Sequence, residues 1–291
     1  MKRELLIAAC VLAVILMLGI TLYPLISNYF SEKNKSLIET QYTEAVSEMD
    51  DSELRETIRL AQDYNNTLVS VSDTAFTKEA LQEAAESYDE LLNIRGDGIM
   101  GYIEIPVIGV DLPIYHGTTE DTLDRGVGHL LGSSLPVGGE STHCILTGHS
   151  GLAGQKMFSD INKLEKEDVF YLHILGETLA YKVTEINTVL PEDTSLLGID
   201  AGKDSCTLVT CTPYGVNTHR LLVRGKRTDY VDAVTRSEKA EIVEAVGSTW
   251  TEEYIRGLGY GAAGIAGAGL VYFLIRFLKK PGKRGKHEAA G

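Results

Sequence analysis

Residues 205–227 read SCTLVTCTPYGVNTHRLLVRGKR. Two runs rich in β-branched and apolar residues, 205–211 and 219–227, flank a Pro-Tyr-Gly segment. Runs of this composition, bounded by Pro, Gly and Asn, read as two strands and a turn. The same texture recurs upstream in GYIEIP (101–106), VDLPIYH (110–116), HCILTGH (143–149), VFYLHIL (169–175) and TLAYKVTEINTVL (178–190). Short strands punctuated at such intervals predict a mainly β domain over 96–230, an antiparallel barrel or sandwich. One short helix, from about Gln155 to Leu164, is expected to interrupt it.

Before the strands, residues 30–95 read as a helical extension. The segment 31–68 is rich in Glu, Leu, Ala and Gln and holds no Pro or Gly, with apolar residues spaced at three and four. It predicts one helix, broken at VSDTAFT (71–77), and a second from Lys78 to about Asn93. A stalk or spacer is the plainest reading. After the strands, residues 231–256 read as a linker with a helix at Ser237 to Val246.

The chain ends differ from everything between. Residues 5–26, LLIAACVLAVILMLGITLYPLI, carry no charge and are long enough to cross a bilayer. A cleaved signal peptide has a shorter apolar core and ends in small residues at a cleavage site, which Tyr23, Pro24 and Asn28 do not supply. Residues 1–29 are therefore expected to be a retained anchor. A second uncharged stretch, Gly257 to Ile275, opens an expected span at 257–278, and a basic tail follows at 279–291. Its GxGxxG at Gly259, Gly261 and Gly264 lacks the strand before and the acidic residue after that a dinucleotide site requires. Small residues such as Ala263 and Gly267 suit helix packing in a membrane instead. Basic residues flank both stretches on their outer sides, so both termini are expected in the cytoplasm and the middle outside it.

That topology divides the charge. The 291 residues hold 27 Lys and Arg against 41 Asp and Glu, a net charge of −14. The two ends contribute eight basic and two acidic residues, leaving −20 on residues 5–275. So acidic a surface excludes nucleic acid as the main partner.

Four cysteines are present, at 10, 144, 206 and 211. Cys10 lies in the first apolar stretch. Cys206 and Cys211 are five residues apart in one strand, hence on opposite faces and roughly 16 Å apart, too far for a disulfide. A Cys144–Cys206 pairing stays open, and no two cysteines have zinc-ligand spacing. Cys211 ends a strand, where a nucleophile is both exposed and rigidly held. A small buried hydrophobe is the ordinary role of an isolated cysteine. Two other residues change the balance. His149 follows the apolar strand in CILTGHSGL, and Arg220 opens the strand after Cys211. A neighbouring cation lowers a thiol's pKa, histidine can protonate a leaving amine, and arginine can donate to an oxyanion.

TLVTCTPYG resembles the TLxTC signature of the sortase family, and TGHSGL and NTHRLLVRG resemble its other two catalytic segments. The likeness runs from about Gly96 to Arg227 through GDGIMGYIEIP, LPIYHG, GVGHL and LPVGG. The layout of helical extension, barrel and second apolar span is similar to class C, the pilin-polymerising sortases. The resemblance implies a closed eight-stranded β-barrel with an N-terminal helical extension and a transmembrane helix at each end. It implies a cysteine transpeptidase in which Cys211 attacks the Thr–Gly bond of an LPxTG-like sorting signal. His149 would protonate the departing amine and Arg220 would bind the substrate or oxyanion. The partners implied are pilin subunits supplying the sorting signal and an acceptor lysine. No cofactor or metal is expected, no acidic cluster having the spacing of a calcium loop.

Class C enzymes commonly carry a lid with an Asp-Pro-aromatic motif. Here VSDTAFT offers Asp73 and Phe76, without the proline and with the aromatic one position further on, so an ordinary helix–helix turn capped by Asp73 competes with a lid. Anchoring of proteins to peptidoglycan amines is the alternative activity, and a non-catalytic membrane-tethered adhesion or scaffold module the alternative class. A papain-like protease is disfavoured because His149 precedes Cys211.

Overall fold

The computed structural model of the chain describes residues 2–69, 87–150, 156–230 and 256–261. The chain divides into two units, Met1–Trp250 and Thr251–Gly291. In the second, residues 256–261 are helical.

The first unit opens with α1 (Lys2–Glu48) and α2 (Asp51–Val69). The single helix expected over 31–68 is thus two. Asp50 is the reason: its Oδ1 accepts from the amides of Ser52 and Glu53 at 2.7 and 2.9 Å. Glu53 Oε2 in turn accepts from the Asp50 amide at 3.0 Å. This reciprocal capping box satisfies donors at a new N-terminus and starts a helix without any Gly or Pro. The second expected helix keeps only its end among the described residues, with 87–88 helical and turns from Asp89 on. The break at 71–77 and the helix at 237–246 lie outside the described residues.

Both helices pack on the strand-rich part through buried side chains. The hydroxyl of Tyr42, on α1, donates to the Met100 carbonyl at 2.8 Å and accepts from the Leu175 amide at 3.0 Å. Burial pushes that phenol up to about 12. From α2, Ala61, Tyr64, Asn65 and Leu68 are buried, the one-sided stripe that an amphipathic helix presents. Asn65 mimics a strand partner, Nδ2 donating to the Leu135 carbonyl at 3.2 Å and Oδ1 accepting its amide at 2.7 Å. The uncharged stretch 5–26 lies in α1. Taken over the described residues, no helix is long and apolar enough to cross a membrane.

Eight strands follow: β1 (Ile99–Ile105), β2 (Val110–His116), β3 (Val127–His129), β4 (Thr142–Thr147), β5 (Val169–Ile174), β6 (Glu177–Val189), β7 (Asp204–Thr212) and β8 (His219–Arg227). They close into a barrel in the order β1-β2-β3-β4-β7-β8-β6-β5. Closure removes every strand edge. The seven runs read as strands are all present. β3 escaped because three residues are too few to show alternation. A short helix, α3 (Glu120–Arg125), capped by the Thr119 hydroxyl at 3.3 Å from the Thr122 amide, also went unforeseen. The helix expected at 155–164 is instead a run of turns from Met157 and a 3₁₀ turn at Ile161–Lys163. There the carboxylate of Asp160, 2% exposed, lies 3.5 and 3.4 Å from Lys156 and Lys163.

The barrel is mixed rather than antiparallel, because β2 pairs β3 and β4 pairs β7 in parallel. Burial explains β4 and β7. Cys144, Leu146, Cys206 and Leu208 pack in the interior with Phe158, Phe170 and Tyr181. Ile145 and Val209 face the other way and are covered too, with Leu197 and Leu222. Strands buried on both faces carry continuous apolar runs, as paired parallel strands do.

Candidate active site

β4 and β7 run side by side in the same direction, in register from Thr142 opposite Asp204 to Thr147 opposite Val209. The pairing continues one residue further, where the Gly148 amide donates to the Val209 carbonyl at 3.0 Å. The buried Thr210 hydroxyl donates to the Gly148 carbonyl at 2.7 Å. His149 therefore leaves β4 level with the Cys211 end of β7. On the other side β7 pairs β8 antiparallel, with Cys211 directly opposite Arg220. Directly opposed residues share a face and sit about 5 Å apart at Cβ. One rim of the barrel thus gathers a thiol, an imidazole and a guanidinium from three adjacent strand ends.

Local packing holds each in place. A Cβ on Gly148 would meet the buried Phe158 ring at 2.7 Å, so only glycine lets the chain pass there and turn out to His149. The His149 carbonyl accepts from the Phe158 amide at 2.9 Å. Beyond Cys211, a cis Thr212–Pro213 bond begins a turn in which the amides of Val216 and Asn217 both donate to the Pro213 carbonyl at 3.0 Å. Asn217 has φ +60°, a left-handed conformation that asparagine tolerates. Arg220 Nη1 donates to the carbonyls of Asn217 and His219 at 3.3 and 3.1 Å. The Ser150 hydroxyl and Asn217 Oδ1 are 3.5 Å apart, linking the loops that carry His149 and Arg220. Cys211 is half-buried, and Tyr214 and Val216 beyond it are exposed.

The other two described cysteines are not at this rim. Cys144 and Cys206 are opposed across β4 and β7, fully buried, hydrogen-bonded to one another and free of a disulfide. Burial and the neighbouring Cys144 push the Cys206 thiol well above its ordinary range. The pairing left open in the sequence is a contact of two thiols. Asp73 and Phe76 lie outside the described residues. Among the described residues, no group of three or more His, Cys, Asp or Glu could hold a metal ion. One residue near the rim was missed: Asp124, on α3, places Oδ1 3.5 Å from His149 Nε2. Its stretch GTTEDTLDRGVGHL carried no signal beyond GVGHL, since α3 was not anticipated.

Thiol, imidazole and guanidinium together can form and resolve a thioester: a nucleophile, a proton carrier and an oxyanion donor. Residues 103–228 match the Sortase domain family. The solved structure of sortase C1 from Streptococcus agalactiae superposes with a TM-score of 0.60 at 46% identity, covering 66% of this chain and 98% of that one. Sortase C of Clostridium perfringens, solved with the C-terminal cell wall sorting motif, gives a TM-score of 0.56 at 46% identity, over 67% and 99%. The chain belongs to the sortase family, with class C sortases as its structural neighbours. Among curated sequences, Sortase D of Bacillus subtilis is 33% identical over 130 residues, 44% of this chain and 63% of that protein. The chain thus spans under two thirds of that relative's length.

Proposed function

We propose that this chain is a membrane-anchored cysteine transpeptidase of the pilin-polymerising kind. The observation that carries the reading is the convergence of Cys211, His149 and Arg220 at one rim of a closed barrel. The Cys211 thiolate attacks the threonine carbonyl carbon of an LPxTG-like signal, forming a C–S bond. Arg220 donates to the oxyanion, and His149 gives its proton to the glycine amine as the C–N bond breaks. A lysine amine of the next pilin subunit then attacks the thioester carbonyl. The C–S bond breaks, the freed proton returns to His149, and an isopeptide bond joins the subunits. The likeness to class C sortases, one of them solved with a sorting motif, supports this choice of substrate.

Membrane attachment rests on the sequence. As a helix the uncharged residues 5–26 would extend about 33 Å, enough for a bilayer core of about 30 Å. Residues 257–278 supply the second span, and the basic flanks hold both termini in the cytoplasm. Asp73 and Phe76 stand as the candidate lid over Cys211. If they act so, Asp73→Ala with Phe76→Ala speeds alkylation of Cys211.

The test is incubation of the full-length chain, in mild detergent, with a pilin bearing an LPxTG-like signal. High-mass ladders that vanish with Cys211→Ala are the expected result. Cleavage without ladders, or transfer only to short peptidoglycan-type amines, would move the function to surface-protein anchoring. Ladders that survive Cys211→Ala would overturn the mechanism.

A further inference from the structure

His149 Nε2 is shut off from solvent and, among the described residues, has no hydrogen-bond partner, although the side chain as a whole is 29% exposed. A buried ring nitrogen without a partner is unfavourable, and such atoms at active sites call for an explanation. The nearest carboxylate is Asp124 Oδ1 at 3.5 Å, on a side chain 54% exposed. That separation is within ion-pair reach and beyond a settled hydrogen bond. Hydrogen bonds of catalytic groups are commonly long without substrate and tighten when it binds.

Asp124 sits near the C-terminus of α3, which the Thr119 hydroxyl caps at its other end. The next residue, Arg125, is held over the Tyr115 ring at 4.5 Å from its centroid. The end of the helix is thereby fixed to β2. From these contacts we infer that Asp124 is a positioning residue for His149, a third group behind the thiol and the imidazole. The inference rests on the roles given above to Cys211 and His149. A carboxylate at Nε2 holds the proton there in the neutral ring, which leaves Nδ1 as the nitrogen that exchanges a proton with Cys211 and the departing amine. Among the described residues, Asp124 from α3 is the charged side chain in contact with the ring, and strand register sets Cys211 of β7 and Arg220 of β8 at the same rim.

The experiment measures cleavage of a fluorogenic LPxTG-type peptide against pH, using the full-length chain and its Asp124→Asn, Asp124→Glu and Cys211→Ala forms. Asp124→Asn keeps shape and removes charge. It is expected to lower kcat/KM about tenfold, less than the hundredfold or more that loss of the proton carrier itself would cost. Asp124→Glu should restore most of that loss. Nitrogen NMR of labelled histidine should show His149 losing its preference for the Nε2–H tautomer in Asp124→Asn. A fall in rate with an unchanged tautomer would mean a merely structural role and overturn the inference. So would a superimposable profile beside an inactive Cys211→Ala. A Cys211→Ala chain that still cleaves would overturn the nucleophile reading itself, and this inference with it.

Discussion

Gly148→Ala is a one-methyl test of how the rim is built. The added Cβ would lie 2.7 Å from Phe158 Cδ2 and 2.8 Å from Cγ, whereas carbon atoms rest at about 3.5–4.0 Å. Something must move by about 1 Å. Phe158 is fully buried among core residues and its ring has nowhere to swing. The backbone at residue 148 yields instead, and it carries His149 with it. Overpacking of this kind costs about 1–3 kcal/mol of stability. A 1 Å displacement of a catalytic group costs on the order of a hundredfold in rate. The expected result is a fall in kcat/KM of that order for peptide cleavage by the full-length chain, with a modest drop in Tm. Phe158→Leu in the same chain opens space for the methyl, so the double variant should be more active than Gly148→Ala alone, a clear departure from additivity. A Gly148→Ala chain within threefold of the parent would refute the reasoning, as would a double variant no better than the single one.

Three further outcomes follow from contacts already described. Asn65→Leu strips the Leu135 amide of its partner, while the carbonyl keeps the Val137 amide at 2.8 Å, and should cost about 1–3 kcal/mol, the cost of one buried orphan; a denaturant midpoint unmoved from the parent would contradict it. His143 is buried, with Nδ1 donating to the Gly198 carbonyl at 2.8 Å and Nε2 accepting from the Thr207 hydroxyl at 2.7 Å, and burial lowers its pKa to about 4. The unfolded chain therefore binds a proton that the folded chain refuses between about pH 6.5 and pH 4, so stability is full above that window and falls as pH drops through it; His143→Gln should flatten that part of a Tm-against-pH curve. Finally, a maleimide should modify Cys211 within minutes, leaving Cys144 and Cys206 untouched until denaturant is added, and mass spectrometry of tryptic peptides reads the difference.

Much of this was written plainly in the chain. Seven strands declared themselves because their apolar and β-branched residues run between Gly, Pro and Asn, and a thiol, an imidazole and a guanidinium at strand ends made Cys211, His149 and Arg220 candidates, to which resemblance added the roles. Strand direction was not legible. Parallel pairing of β4 with β7 depends on both faces being covered, and the cover over Ile145 and Val209 comes from Leu197, in a loop with no strand signal. The break at Asp50 was legible in principle, as Asp followed three residues later by Glu, but lay inside an unbroken helical composition. Asp124 was not legible, since its bearing on His149 exists only once α3 is set beside β3. The sorting signal and the acceptor came from resemblance; no residue of this chain spells out either.

The parallel partnership of β4 and β7 has a bearing on when the molecule becomes reactive. The two strands are neighbours in the barrel, yet about sixty residues of chain separate Thr147 from Val209, and all of β5 and β6 is laid down between them. Pairings of such long sequence separation form late, because the loop must be closed before any contact repays it. A chain emerging N-terminus first has its histidine early and its thiol and arginine last. Any partly folded form lacking β7 and β8 holds an imidazole with nothing to activate. The order of the strands thus keeps a potentially promiscuous thioester chemistry silent until the barrel is shut.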